Sequence, residues 1–263
     1  VDRAEPAELA DMDPIRTAWQ EQQDELGALL DSMDADEWDR TVPRTPDWVV
    51  SDVVLHLAQT NEMAIGSCRG NFDEVLQGLL DGAPPATTVD EGAAVMVDVG
   101  RGDAPVDIHA RWRTTVADLA ACFDSLDPSE RVPWVAGLLS VRTLMTTRLA
   151  ETWIHTTDIG DALGREPAPT DRLEHVARLA WRTLPYAFQR DGRELHGPVA
   201  FELTSPTGQP WNFVPDDEAV TTIRGPGAEL ALVAARRLDP RNTELTGNGP
   251  DADAVLELVR TFA

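Results

Sequence analysis

Apolar residues recur at helical spacing early in the chain, where Ile15, Trp19, Leu26, Leu29 and Leu30 predict a first helix from about Asp13 to Ser32. Asp13 suits its cap and Pro14 its first turn. Two prolines within Val42-Pro-Arg-Thr-Pro-Asp-Trp48 break that pattern. A second helix, from about Val49 to Ile65, carries Val50, Val53, Val54 and Leu57 on one face, with His56 at its border. Asp52, near its start, complements the orphan amides and the dipole there. Residues 67–103 are less regular: a short helical piece at about Phe72 to Leu80, then Gly82-Ala-Pro-Pro-Ala-Thr-Thr88, then glycines at 92, 100 and 102. So long an irregular connection is either the lining of a substrate pocket or an ordinary surface excursion. A third helix is expected from about Pro105 to Phe123 and a fourth from about Gly137 to Leu163, stopped by Gly164, with no strand signal between the four.

The pattern changes after about Phe188. Val199-Ala-Phe-Glu-Leu-Thr204 alternates as a strand does, a Ser205-Pro-Thr-Gly208 turn follows, and Trp211–Val214 and Ala219–Arg224 continue the alternation. Gly225-Pro-Gly227 introduces a helix to about Leu238, Thr243–Gly247 reads as a last strand, and a terminal helix runs from about Asp251 to near Phe262. The boundary falls between residues 165 and 190. The expected fold is therefore α plus α/β, with a four-helix bundle over residues 1–165 and a small α/β domain over 166–263.

Composition narrows the classes of partner. All 22 basic residues among the 263 are arginine, against 46 Asp and Glu, for a formal net charge of −24. Such a balance repels nucleic acid and anionic membrane surfaces. The absence of lysine suggests a coding bias of the kind found in GC-rich bacteria. Cys68 and Cys122 stand in no metal-ligand spacing, so neither a disulfide scaffold nor a thiolate zinc site is indicated. The acidic stretch Val1-Asp-Arg-Ala-Glu-Pro6 lacks the basic and then apolar character of a signal peptide, and a cytoplasmic location is expected.

Candidate chemistry concentrates in Leu149-Ala-Glu-Thr-Trp-Ile-His-Thr-Thr-Asp158. On a helix Glu151 and His155 lie one turn apart on one face, where both reach a single ion. The same acid-x-x-x-His spacing occurs at Asp52/His56 and Asp171/His175, so spacing by itself selects none of the three. Periodicity alone points elsewhere: the apolar residues of the fourth helix centre near Met145 and Leu149, and the stripe Arg148, Glu151, His155 and Asp158 reads as a solvated charged face. Joined by His56 from the second helix, Glu151 and His155 would form an N/N/O set that suits zinc and leaves a fourth tetrahedral position for water, thiol or substrate. Asp158 either orients a ligand from behind or is a solvated carboxylate near a helix end.

Two motifs carry a family resemblance. Thr45-Pro-Asp-Trp-Val-Val-Ser-Asp-Val-Val-Leu-His-Leu-Ala58 resembles the pattern Pro-x-Trp-x-x-x-Asp-x-x-x-His-Leu of the mycothiol-dependent maleylpyruvate isomerase family, within the DinB-like metal-binding bundles. Arg148-Leu-Ala-Glu-Thr-Trp-Ile-His-Thr-Thr-Asp-Ile159 is similar to that family's Glu-x-x-x-His-x-x-Asp. The resemblance implies a DinB-like bundle in which His56, Glu151 and His155 are the metal ligands, zinc as the ion, mycothiol as thiol cosubstrate, and an actinobacterial setting. It implies also an accessory α/β domain that closes the active-site cleft, matched here by Ile223-Arg-Gly-Pro-Gly-Ala-Glu-Leu-Ala-Leu-Val-Ala-Ala-Arg-Arg237 and Leu245-Thr-Gly-Asn-Gly249. Family members often show Gly-Arg where this chain has Ala235-Arg236, which leaves Arg236 and Arg237 as alternatives for the arginine implicated in the isomerases. Either is a clamp for a carboxylate or a solvated charge at a helix end.

The function implied is attack of a metal-held thiolate on an electrophilic or anionic small molecule. Transfer or exchange of the thiol is the expected outcome, because Arg236-Arg237 and the ending Arg260-Thr-Phe-Ala263 look more like the family's other members than its isomerases. The alternatives are cis/trans isomerisation and metal binding without turnover. Hydrolysis by zinc-bound water fits less well, since Asp158 is the only nearby candidate for a separate base.

Overall fold

The structure is a computed structural model that describes residues 13–83, 86, 88–135 and 137–261. The acidic stretch Val1–Pro6, the prolines of the Gly82–Thr88 segment and the expected helix end at Phe262 lie outside the described residues. Contacts divide the chain into two compact units, Val1–Glu166 and Pro167–Ala263.

In the first unit, helix α1 (Pro14–Asp31) begins where Asp13 Oδ1 accepts a hydrogen bond from Ile15 N. A hairpin of β1 (Thr41–Val42) and β2 (Thr45–Val49) leads into α2 (Val50–Arg69), which ends at Gly70 in the left-handed region, φ 78°. After α3 (Phe72–Leu80), α4 (Val89–Gly100) and α5 (Pro105–Ser125) comes a second antiparallel hairpin, β3 (Arg131–Trp134) with β4 (Gly137–Ser140), and then α6 (Val141–Leu163). Helices α1, α2, α5 and α6 form the bundle, α2 packing on α5 and α6, and α1 on α6 and α5. Two buried side-chain bonds cross from α1 to α6: Gln22 Nε2 donates to Thr156 Oγ1 at 3.2 Å and Gln23 Nε2 to Thr152 Oγ1 at 2.9 Å. The core divides into one cluster around Val53, Val54, Leu57, Trp112 and Ile159 and another around Trp19, Phe123, Leu144 and Leu149. Cys122 belongs to the second, with half-buried Cys68 packed against it, and both are free thiols. Burial pushes the Cys68 thiol up to about 12.

Three expectations for this unit are corrected. The fourth bundle helix starts at Val141, not Gly137, because residues 137–140 pair with 131–134, and Ser140 Oγ caps the helix by accepting from Thr143 N. Strand pairing therefore does occur between the bundle helices; these strands are too short for alternation to reveal them. Second, the irregular connection contains a 12-residue helix, α4, capped by Thr88 Oγ1 and burying Met96 and Val97. Gly92 and Gly100 conceal it, yet Gly100 permits close packing: a Cβ there would lie 2.7 Å from Gln59 Nε2. Third, the polar stripe of α6 is not solvated, as described below.

The second unit holds α7 (Leu173–Arg182), α8 (Leu184–Asp191), α9 (Gly227–Ala234), α10 (Ala252–Leu258) and a four-stranded sheet of β5 (Val199–Thr204), β6 (Pro210–Phe213), β7 (Thr221–Pro226) and β8 (Thr246–Asn248). The strand order is β6-β5-β7-β8, with β5 and β7 parallel and both edge pairs antiparallel. Phe201 and Leu203 of β5 point into the core and Glu202 and Thr204 outward, as alternation requires. Among the described residues no helix is long and apolar enough to cross a membrane.

Candidate metal centre

Helix α6 is enclosed on both sides, by α1 along one and α2 along the other, so its polar stripe faces protein. Arg148 is 4% exposed, His155 7% and Asp158 1%, while the Glu151 side chain is only slightly more open at 14%. A buried row of charges is costly unless its members pair. They do so with each other and with His56, 6% exposed, which α2 brings in from 95 residues away in sequence.

Glu151 Oε1 is the meeting point. It lies 2.8 Å from His56 Nε2 and 3.5 Å from His155 Nε2, and the two imidazoles stand edge to face with ring centroids 5.1 Å apart. One ligand atom from each of the three side chains falls within 4.8 Å of the other two. Behind His155, Nδ1 lies 3.1 Å from Asp158 Oδ2, which fixes the ring and directs Nε2 at the glutamate. His56 is held differently: its Nδ1 is buried with no hydrogen-bond partner among the described residues, and the Trp48 ring packs on it at 5.3 Å.

The electrostatics follow from this packing. Burial would raise the Glu151 carboxyl, but hydrogen bonds from His155 and His56 and the charge of Arg148 hold it well below the usual range. Burial also opposes charge on His155, yet the Asp158 and Glu151 carboxylates outweigh it and raise the imidazole to about 9. His56 goes the other way, lowered mainly by burial against the pull of Glu151. The cluster thus pairs one firmly ionised carboxylate with one imidazole that favours its proton and one that does not. Two nitrogens and one oxygen converging from rigid helices fit a divalent ion of the zinc type.

The carboxylates of the other two acid-x-x-x-His pairs are committed elsewhere. Asp52 Oδ2 accepts from Val49 N and Asp52 Oδ1 from Arg101 Nε, while Asp171 accepts from Thr207. Sequence reasoning gave no role to Arg148 and did not single out Trp134. Arg148 Nη2 lies 3.7 Å from Glu151 Oε2, and its guanidinium sits 5.1 Å over the Trp134 ring.

Residues 19–160, more than half of the chain and spanning all three converging side chains, match the profile of the mycothiol maleylpyruvate isomerase N-terminal domain. The chain belongs to that family. Among relatives of this mycothiol maleylpyruvate isomerase family member, two uncharacterised proteins of Mycobacterium tuberculosis, from strains CDC 1551 / Oshkosh and ATCC 25618 / H37Rv, are each 28% identical over 258 residues, covering 97% of both chains. Among solved structures, the mycothiol-dependent maleylpyruvate isomerase superposes with a TM-score of 0.57 and a mutant of it with 0.56. Both are 18% identical, covering 90% of this chain and 94% of theirs. At that identity the likeness speaks to the fold.

Arg236 and Arg237 belong to the second unit of this family member, just past α9. Arg236 has φ 61°, in the left-handed region that favours glycine, and its Nη1 donates to the Glu257 carbonyl oxygen at 2.8 Å. Arg236 thus occupies a glycine-like position at this helix end. Arg237 Nη1 donates to the Ala235 carbonyl oxygen at 2.9 Å.

Proposed function

We propose that the chain is a zinc-dependent, mycothiol-using enzyme that transfers a thiol onto an electrophilic small molecule or exchanges one thiol for another. The convergence of His56, Glu151 and His155 on one point inside the bundle carries this reading. Three protein donors leave a tetrahedral site one position short, as catalytic rather than structural zinc sites are. Bound there, zinc supplies the charge that makes a thiol ionise at neutral pH.

The chain's own groups divide the remaining tasks. Asp158 keeps the His155 Nδ1 proton in place and so presents Nε2 as a donor. Glu151, held ionised, contributes the single negative charge of the donor set. The burial of both imidazoles keeps bulk water from surrounding the sulfur nucleophile. We assign the carboxylate-binding arginine to Arg237, since Arg236 occupies the glycine-like position.

A second reading, cis/trans isomerisation, is supported by the family to which the chain belongs and by its structural likeness to a maleylpyruvate isomerase. Both readings share thiol addition and differ in whether the sulfur leaves again. Incubation of the zinc-loaded protein with mycothiol and a panel of electrophiles, followed by mass spectrometry, separates them. A thioether product supports transfer. Isomerised maleylpyruvate with the thiol recovered supports the second reading, and no thiol complex that depends on metal would defeat both.

A further inference from the structure

The two oxygens of Glu151 face different partners. Oε1 is turned to both histidines, 2.8 Å from His56 and 3.5 Å from His155, whereas Oε2 is turned to Arg148 Nη2 at 3.7 Å. Arg148 stands one helical turn before Glu151 on α6, which is why the two heads meet. The guanidinium has little freedom to leave: it is buried, the Trp134 ring from β3 covers it at 5.1 Å, and its Nε has no hydrogen-bond partner among the described residues. Glu151 is the carboxylate with which it pairs among those residues. Arginine keeps its charge in any protein environment, and a buried cation that loses its one counter-charge is strongly disfavoured.

We infer that Arg148 is a positioning residue that restricts Glu151 to ligation through Oε1 alone and thereby keeps one coordination position open. Were both oxygens to swing onto the ion, Oε2 would desert the guanidinium and leave it unpaired in the protein interior. Holding Oε2 back keeps the protein's contribution at three donor atoms, which sets the site up for an incoming ligand instead of a closed shell. The inference rests on the metal-centre reading above and adds to it a residue that never touches the ion.

Cobalt(II) in place of zinc reports coordination number through its d–d absorption, independently of turnover. The wild-type protein should show the intense bands of a four-coordinate ion. Arg148→Met, which keeps the bulk and removes the charge, should weaken those bands towards five-coordinate values. Arg148→Lys, which restores a charge without the planar fork, should recover the intense spectrum. X-ray absorption at the zinc edge of the wild-type protein provides a measurement that needs no variant: one carboxylate oxygen at bonding distance is expected, without the short metal–carbon distance of a chelating carboxylate. A chelating glutamate in the wild type, or an unchanged cobalt spectrum in a folded Arg148→Met protein, overturns the inference. A wild-type protein that takes up no cobalt or zinc overturns instead the metal-centre reading on which it stands.

Discussion

Under the proposed function, His155 is where proton and metal compete. Its imidazole is raised to about 9 by the Asp158 and Glu151 carboxylates, against the opposing effect of burial, so at neutral pH the metal-free protein carries a proton that an incoming ion has to displace. The sign follows directly: lowering the pH favours the protonated ring and weakens metal uptake. Between pH 8 and pH 6 apparent zinc affinity should fall about a hundredfold for this one proton, and calorimetry in buffers of different ionisation heat should show its release on binding. Affinity flat across that range would mean that His155 is not a ligand. His155→Ala should remove most bound metal while far-UV circular dichroism keeps its helical signal, since a surrounding four-helix core remains. Asp158→Asn, which retains the shape but not the charge behind His155, should weaken zinc about 10- to 100-fold.

At the level of elements, α9 offers a test of the arginine assignment. Arg236 holds a left-handed conformation that glycine adopts freely and a β-branched residue resists. Arg236→Val should destabilise the protein by about 1–3 kcal/mol in thermal or denaturant unfolding, whereas Arg236→Gly should stay within about 1 kcal/mol of the wild type. Under the proposed function Arg237→Ala should reduce activity and leave metal content untouched. Equal unfolding free energies for the two Arg236 variants would remove the backbone argument. Elements whose signals are local could be read in the sequence: the Asp13-Pro14 start of α1, the Gly164 stop of α6 and the alternation of β5. Helix α4 could not, because Gly92 and Gly100 look like chain breakers, whereas Gly100 serves packing against α2 rather than chain reversal. The burial of the α6 stripe was equally hidden, since a helix covered on both sides has no solvent face for periodicity to find. His56 joins Glu151 only through the packing of α2 on α6, a contact that no spacing encodes; two separated motifs pointed to it where helical periodicity pointed away.

Over the whole molecule, a formal charge of −24 sets how ligands approach. An anionic cosubstrate meets long-range repulsion that salt screens, so kcat/KM for such a substrate should rise as ionic strength increases from about 0.01 M to 0.15 M, the reverse of electrostatic steering. A fall over that range would point to a local basic funnel that outweighs the net charge. The same molecule-wide view gives meaning to its two thiols. Cys68 is pushed up to about 12 by burial, and Cys122 is packed into the core of the bundle. At neutral pH Cys68 therefore stays in the unreactive thiol form. Ellman's reagent should accordingly find next to no reactive thiol in the native protein and two after denaturation. A catalyst working among small thiols and disulfides risks being trapped as a mixed disulfide or having its own sulfur capture the ion. Here both internal thiols are chemically muted, and under the proposed function the open position would be left to sulfur that arrives from solution.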